Sequence, residues 1–433
     1  MAPMFAPLKE RNYRLWAAAD LVSTAGTWMQ VLGLNWLILS DTGSAATMGL
    51  VVMLQALPVL VLGTWGGALA DRLPARPLLI ASQAIRALLA LALVAHGGHA
   101  LIFAVALASG VISSFEGPAL GRFGSALVKP EALGSALALG SVLSSAGRIG
   151  GMALGGVLVG ITGPAVLFAI NAVSYLAVIG ALAAMRTGEM RDLPTAAAGE
   201  RGVLAGLRYI TRQPVVLIVL ALSFVLGSLG RNYQVSMAAM TAGPLHSGSG
   251  GYGLLSTVFA VGAVLGGLLL AGTGRSTLRV LLGTGVAISA LQICSGLAPN
   301  LLTFAAVILP IAAGAVVFDT VVSTRIQLDT REDMRGRVLA AVGIVSSLSG
   351  MVGAPAVGWL CDTIGARGAL LTGGVITTVA AVAGALAIAR VQGRKLHLPH
   401  PHMPHLPQLP HPHLPQLPQL PHAEALRPAE QMA

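Results

Sequence analysis

The sequence predicts an all-α integral membrane protein: twelve transmembrane helices in two pseudo-symmetric six-helix bundles. Three observations carry this expectation. First, 55% of the 433 residues are hydrophobic and only 10% are charged, with a mean hydropathy of +0.80; a soluble domain carries about 25% charge, so a soluble multidomain enzyme is excluded. Second, the chain from Leu15 to Ala389 divides into twelve apolar runs, each near the roughly 20 residues that cross about 30 Å of hydrocarbon. Third, the second half repeats the first.

A short N-terminal tail, residues 1–14, carries Lys9, Arg11 and Arg14. The first bundle, residues 15–185, holds the runs Leu15 to Leu39, Ala46 to Ala70, Pro77 to Ala95, Leu101 to Pro118, Leu133 to Val159 and Ala165 to Met185. A charged linker follows over 186–214. The second bundle, 215–389, holds Val215 to Met240, Tyr252 to Ala271, Val280 to Leu297, Leu301 to Val322, Val338 to Leu360 and Ala369 to Ala389. A tail over 390–433 repeats Leu-Pro-His/Gln, with proline at near-threefold spacing that favours polyproline II, so a disordered appendage is expected. Its histidines, seven of the chain's 10, leave weak metal binding open as the lesser alternative. No metal site and no cofactor are expected elsewhere.

Orientation follows from the basic residues. Of the 26 lysines and arginines, Arg86, Arg148 and Arg231 lie inside runs and Arg367 alone faces one side. All the others fall in the tails and even-numbered loops. Cytoplasmic loops hold such an excess, so both termini are expected in the cytoplasm of a plasma-membrane protein, which requires an even number of spans. The first run is too long for a signal-peptide core. The formal net charge of +10 sits at helix ends rather than on one face, which argues against a nucleic-acid partner. Cys294 and Cys361 suggest neither a disulfide framework nor a metal site.

Sliding the chain on itself aligns Arg122 with Arg325, Gly140 with Gly343, Ser144 with Ser347, Gly147 with Gly350, Gly150 with Gly353 and Gly155 with Gly358. The fifth and eleventh spans are therefore equivalent. Parallel six-span repeats are a recurrent transporter architecture, with the substrate between the halves.

The second run exits through Gly66-Gly67-Ala68-Leu69-Ala70-Asp71-Arg72-Leu73-Pro74-Ala75-Arg76. This resembles motif A of the major facilitator superfamily, with Pro74 where the family has glycine. The resemblance implies a cytoplasmic gate of Gly67, Asp71, Arg72, Arg76 and Glu116, in which Asp71 meets the N-terminus of the eleventh helix and Arg72 pairs with Glu116. Further segments narrow the likeness to the drug and siderophore exporter branch that includes enterobactin exporters. They are Gly26-Thr27-Trp28-Met29-Gln30, Glu116-Gly117-Pro118-Ala119, Asn171-Ala172-Val173-Ser174-Tyr175, Asn232-Tyr233-Gln234-Val235 and Arg335-Gly336-Arg337-Val338. Gly147 to Gly156 is similar to the antiporter motif C, with Met152 in place of proline; close packing without directional meaning explains it equally well.

Charged groups within spans need a partner or water. Asp20, Asp319, Arg231 and Arg148 are therefore the proton-coupling candidates, a carboxylate from the first pair with a counter-charge from the second. Gln30, Asn35, Gln55, Asn171, Tyr175, Asn232, Tyr233 and Gln234 are candidates for lining a substrate cavity, although helix-to-helix hydrogen bonds explain part of that set. No phosphate-binding loop Gly-x-x-x-x-Gly-Lys-Ser/Thr occurs, which leaves an ion gradient as the driving force.

The expectation is a monomeric, proton-coupled exporter of a small organic molecule, drug-, antibiotic- or siderophore-like, working in the lipid bilayer by alternating access. Uptake by the same machinery and a non-transporting sensor or scaffold are the alternatives.

Overall fold

The computed structural model describes residues 5–95, 98–191, 210–211, 213–273, 277–330, 335–391 and 393. The Pro/His-rich tail and most of the linker lie outside the described residues. Helices α1 (Arg11–Thr42), α2 (Ala45–Arg72), α3 (Ala75–Val94), α4 (His99–Ala126), α5 (Leu133–Thr162) and α6 (Pro164–Ala184) precede the linker. After it come α7 (Pro214–Val225), α8 (Tyr233–Ala242), α9 (Gly248–Thr273), α10 (Leu278–Gly296), α11 (Leu301–Asp329) and α12 (Arg335–Val391). Among the described residues, ten helical stretches are long and apolar enough to cross a membrane. Helix α1 falls outside them because Asp20, Ser23, Thr24, Thr27, Gln30 and Asn35 dilute its apolar residues. The last stretch bends at Gly365, whose φ of 78° only glycine adopts readily, so α12 comprises two spans of opposite direction. With these two adjustments the count is twelve.

Turn chemistry fixes the hairpins. Gly43, at φ 65°, closes α1, and the Ser44 hydroxyl accepts from the Thr47 amide to cap α2. Asn300 and Thr303 form a reciprocal capping box at the start of α11.

Two sequence boundaries are corrected. Helix α4 does not stop at Pro118 but runs through it to Ala126. The seventh span is not one helix: α7 passes into a π-turn at Leu226–Gly230 and breaks at Arg231 and Asn232 before α8 begins. The break is stabilised by side chains that take up the freed carbonyls. Asn232 Nδ2 donates to Ser228 O at 2.7 Å and Gly227 O at 3.2 Å, and Gln292 Nε2 donates to Leu229 O at 2.9 Å.

The start of α1 and the end of α6 share one end of the molecule, where Arg11 Nη1 donates to Ala184 O at 2.9 Å and Asn12 exchanges two hydrogen bonds with Arg186. We call this the basic end, and the opposite end the far end. Helices before the linker pack mainly on one another, as do those after it. The two halves meet chiefly along two seams, α2 with α12 and α5 with α9. The closest approaches on these seams lie toward the far end. A Cβ on Gly156 would strike the Gly253 backbone and one on Gly253 would strike Gly156; Gly49 meets Ala354 and Pro355, and Gly358 meets Ala45. Other glycines of the fifth span pack within their own half, with Gly151 against Ala25 and Gly155 against Met29 of α1.

Asp362 of α12 fastens the far end. Its carboxylate accepts from the Ser44 hydroxyl at 2.6 Å and from the Ala45 and Ala46 amides at 2.8 and 3.0 Å, so one half caps a helix of the other. Losing such a cap costs about 1 kcal/mol, roughly fivefold in a two-state population. Cys361 beside it is buried and provides a native reporter. In a Cys294→Ser background, Asp362→Ala is expected to speed labelling of Cys361 by a membrane-impermeant maleimide about fivefold; an unchanged rate would mean that the glycine seams alone hold this end.

Candidate functional site

Helix α1 turns a polar stripe, Asp20, Ser23, Thr24, Thr27, Gln30, toward the interior of the first half. The stripe lines a cavity of about 460 Å³, within the range that holds small-molecule ligands, together with Trp16, Trp28, Gln55 of α2, Arg86 of α3, Glu116 of α4 and Tyr175 of α6.

At its wall lies a compact ionic cluster. Glu116, 6% exposed, pairs with Arg86 through Nη2 at 2.5 Å and Nε at 2.7 Å, while Gln83 Nε2 donates to its other oxygen at 2.6 Å. Arg86 Nη2 also donates to Ser113 Oγ at 2.8 Å. Both charges are thus matched and hydrogen-bonded, the condition under which a buried pair is tolerated. Asp20 differs: it faces the same cavity, and among the described residues no cation lies within ion-pair reach.

A second, smaller pocket of about 160 Å³ lies between the halves. Trp28, Arg148 and Met152 come from the first half, and Arg231, Asn232, Tyr233, Gln234, Tyr252 and Phe259 from the second. Trp28 and Val31 line both spaces, so they adjoin. Arg231, placed at the break after α7, forms an ion pair with Asp319 of α11, whose side chain is 56% exposed. Arg148 has no carboxylate partner among the described residues; its guanidinium lies 5.9 Å from the centre of the Trp28 ring. An unpaired arginine at mid-span costs about 2.5–3.5 kcal/mol on insertion scales, so this pocket holds an unmatched positive charge.

Several sequence candidates are placed differently from their expected roles. The expected Arg72–Glu116 pair does not form: Glu116 turns inward to Arg86 and Gln83, and Arg72 is exposed. Arg76 caps α6 within its own half, donating to Leu182 O at 2.9 Å and Ala183 O at 3.1 Å, where the helix dipole favours a cation. Gly67 lies in the last turns of α2, while the Asp71 side chain lies outside the described set. Asn171 does not line the cavity. It is fully buried behind Gln30, donating to its Oε1 at 2.6 Å and accepting from Ser174 Oγ at 2.8 Å, so it orients a lining residue. Asn35 likewise is a strut between halves, donating to Gln234 Oε1 and Tyr252 Oη at 3.3 Å each. Gln30, Gln55 and Tyr175 do line the first cavity, and Asn232, Tyr233 and Gln234 the second, although the Asn232 amide is occupied by the helix break. Arg86 and Gln83 were not among the candidates; a charge inside the third apolar run was the available signal.

The profile of a family described as transmembrane secretion effectors matches residues 2–409. An uncharacterised MFS-type transporter of Bacillus subtilis, YfiS, is 26% identical over 378 residues, covering 83% of this chain and 89% of that protein. The staphyloferrin A transporter of Staphylococcus aureus is 38% identical over only 47 residues, 11% of this chain and 12% of that one. Among solved structures, a bacterial homologue of the human lysosomal transporter Spinster, inward-facing and unoccupied, superposes with a TM-score of 0.73 at 15% identity, covering 89% of this chain and 98% of its own. The nucleoside transporter NupG gives 0.70 at 14% identity, covering 87% and 99%. Identities this low carry the fold alone.

Proposed function

We propose that this chain, which belongs to the transmembrane secretion effector family and is a membrane transporter of the major facilitator type rather than an enzyme, exports a small organic molecule in exchange for protons. Drug-, antibiotic- or siderophore-like compounds are the cargo we envisage, moved by alternating access out of a cell whose cytoplasm holds both termini. The observation that carries the reading is Asp20: a carboxylate facing a 460 Å³ cavity, without an ion-pair partner among the described residues, beside an ion pair that is already complete. A carboxylate so placed gains and loses a proton without breaking a structural contact, whereas Glu116 does not. Closure of both seams toward the far end is consistent with a state that loads from the basic end. Outward direction is supported by the family's description and by the likeness of Gly147 to Gly156 to an antiporter motif.

A gradient of 100 mV supplies about 2.3 kcal/mol per charge, enough for roughly a 50-fold concentration ratio. A strain lacking the gene is expected to retain at least one small organic molecule, or to become sensitive to one, relative to its parent. The wild-type gene restores export, and Asp20→Asn does not, reducing the steady-state ratio to about one. A strain with unchanged metabolite retention and unchanged drug sensitivity would count against export, and full restoration by Asp20→Asn would remove Asp20 from the coupling step.

A further inference from the structure

The smaller pocket between the halves is lined by two buried hydrogen-bond donors that no group among the described residues matches. Among the described residues, Arg148 Nε is buried without a hydrogen-bond partner, and so is the hydroxyl of Tyr233, a residue 3% exposed. Both residues line the same 160 Å³ space. Tyr233 also opens α8, whose N-terminus follows directly on the break of the seventh span, so the partial positive charge of a half-helix faces the same region. Asp319, the carboxylate paired with the second half's arginine among the described residues, is already committed to Arg231. Beside the neutral polar groups of Asn232, Gln234, Tyr252 and Ser256, the lining offers a guanidinium laid over the Trp28 ring, a buried phenol and a helix start, and no carboxylate. Buried donors find acceptors, and a buried cation finds an anion.

We infer that this pocket takes the anionic group of the transported molecule, a carboxylate or its like on a planar body, with Arg148 as the binding cation, Tyr233 as a second donor and Trp28 as the apolar face. The inference rests on the transport reading and deepens it by assigning a substrate class. Size supports the division of labour. A space of 160 Å³ is below the 300–1,000 Å³ typical of sites for whole drug-sized ligands, so it holds a head group, and the rest of the molecule extends past Trp28 and Val31 into the larger polar cavity. Because Arg148 belongs to the first half and Tyr233 to the second, the anion bridges the two halves.

Binding to the purified full-length protein tests this with benzoate and its uncharged isostere benzamide, read by tryptophan fluorescence and confirmed by calorimetry. Benzoate is expected to bind at least about tenfold more tightly than benzamide. Arg148→Gln should abolish that preference by weakening benzoate ten- to a hundredfold, Arg148→Lys should keep part of it, and Tyr233→Phe should cost several-fold while preserving the fold. Tyr233→Phe removes one hydroxyl, so it carries the test if Arg148→Gln does not fold. Benzoate that binds no better than benzamide, or Arg148→Gln and Tyr233→Phe proteins that keep the wild-type preference, would overturn the inference. These are binding readouts. Their failure alongside intact, proton-driven export would leave the transporter reading standing with a different cargo, whereas loss of export in the deletion strain's complementation would strike that reading instead.

Discussion

Gly253→Val is expected to abolish transport. The backbones of Gly253 and Gly156 touch on the α5–α9 seam, and a side chain on either residue would overlap main-chain atoms of the other half. A flexible side chain could move aside; a helix backbone cannot, so the halves must separate or the protein must strain. Inserting even a few methyl groups into a packed interface costs about 1–3 kcal/mol, and here the whole cost falls on the state closed at the far end. Gly156→Val should behave alike. Gly250→Ala, three residues away with open space where its Cβ would lie, should be silent. Transport rate and the maleimide reactivity of Cys361 together decide the matter: lost transport with raised reactivity is the expected pair, and a Gly253→Val protein that transports normally would show that this seam does not seal.

The largest loss of stability is expected from Glu116→Ala. Removing one member of a buried ion pair leaves the other charge stranded, which typically costs about 3–5 kcal/mol, whereas replacing both members with apolar groups is often neutral. Arg86 without Glu116 would keep its neutral partners Ser113 and Tyr175 but no counter-charge, and Gln83 would lose its acceptor. The thermal unfolding temperature should therefore fall sharply for Glu116→Ala and recover in the double variant Arg86→Met/Glu116→Leu. Equal losses in the single and double variants would show instead that packing, not stranded charge, makes the cluster matter.

Much of this architecture was legible from the chain because the bilayer sets one length and one charge rule. The twelve runs follow from the length, while the repeat that maps Gly155 onto Gly358 is read from the matching residues themselves. The break after α7 was not legible, because it depends on groups distant in sequence: Gly353 packs against Ser228, and Gln292 of α10 supplies a donor to the freed Leu229 carbonyl. The Arg86–Glu116 pair was missed for a related reason. Counting from the hairpin between α3 and α4, Glu116 lies about nine residues deeper than Arg86, roughly 13 Å along a straight helix. Helix tilt and the long arginine side chain close that gap, and neither can be read from spacing. Arg72, adjacent to the membrane exit, was the nearer choice on depth alone. The pairing of Arg231 with Asp319 was within reach, since each was a charge inside an apolar run that needed a counterpart.

The bend at Gly365 has a mechanical consequence. It joins the final two spans through a single residue outside helical geometry, with no length of loop to absorb displacement. Any displacement of the arm carrying Asp362 away from α2 would tow its successor with it, as far as Val391. An elastic insert at this elbow, a few glycines and serines, would decouple the two rods.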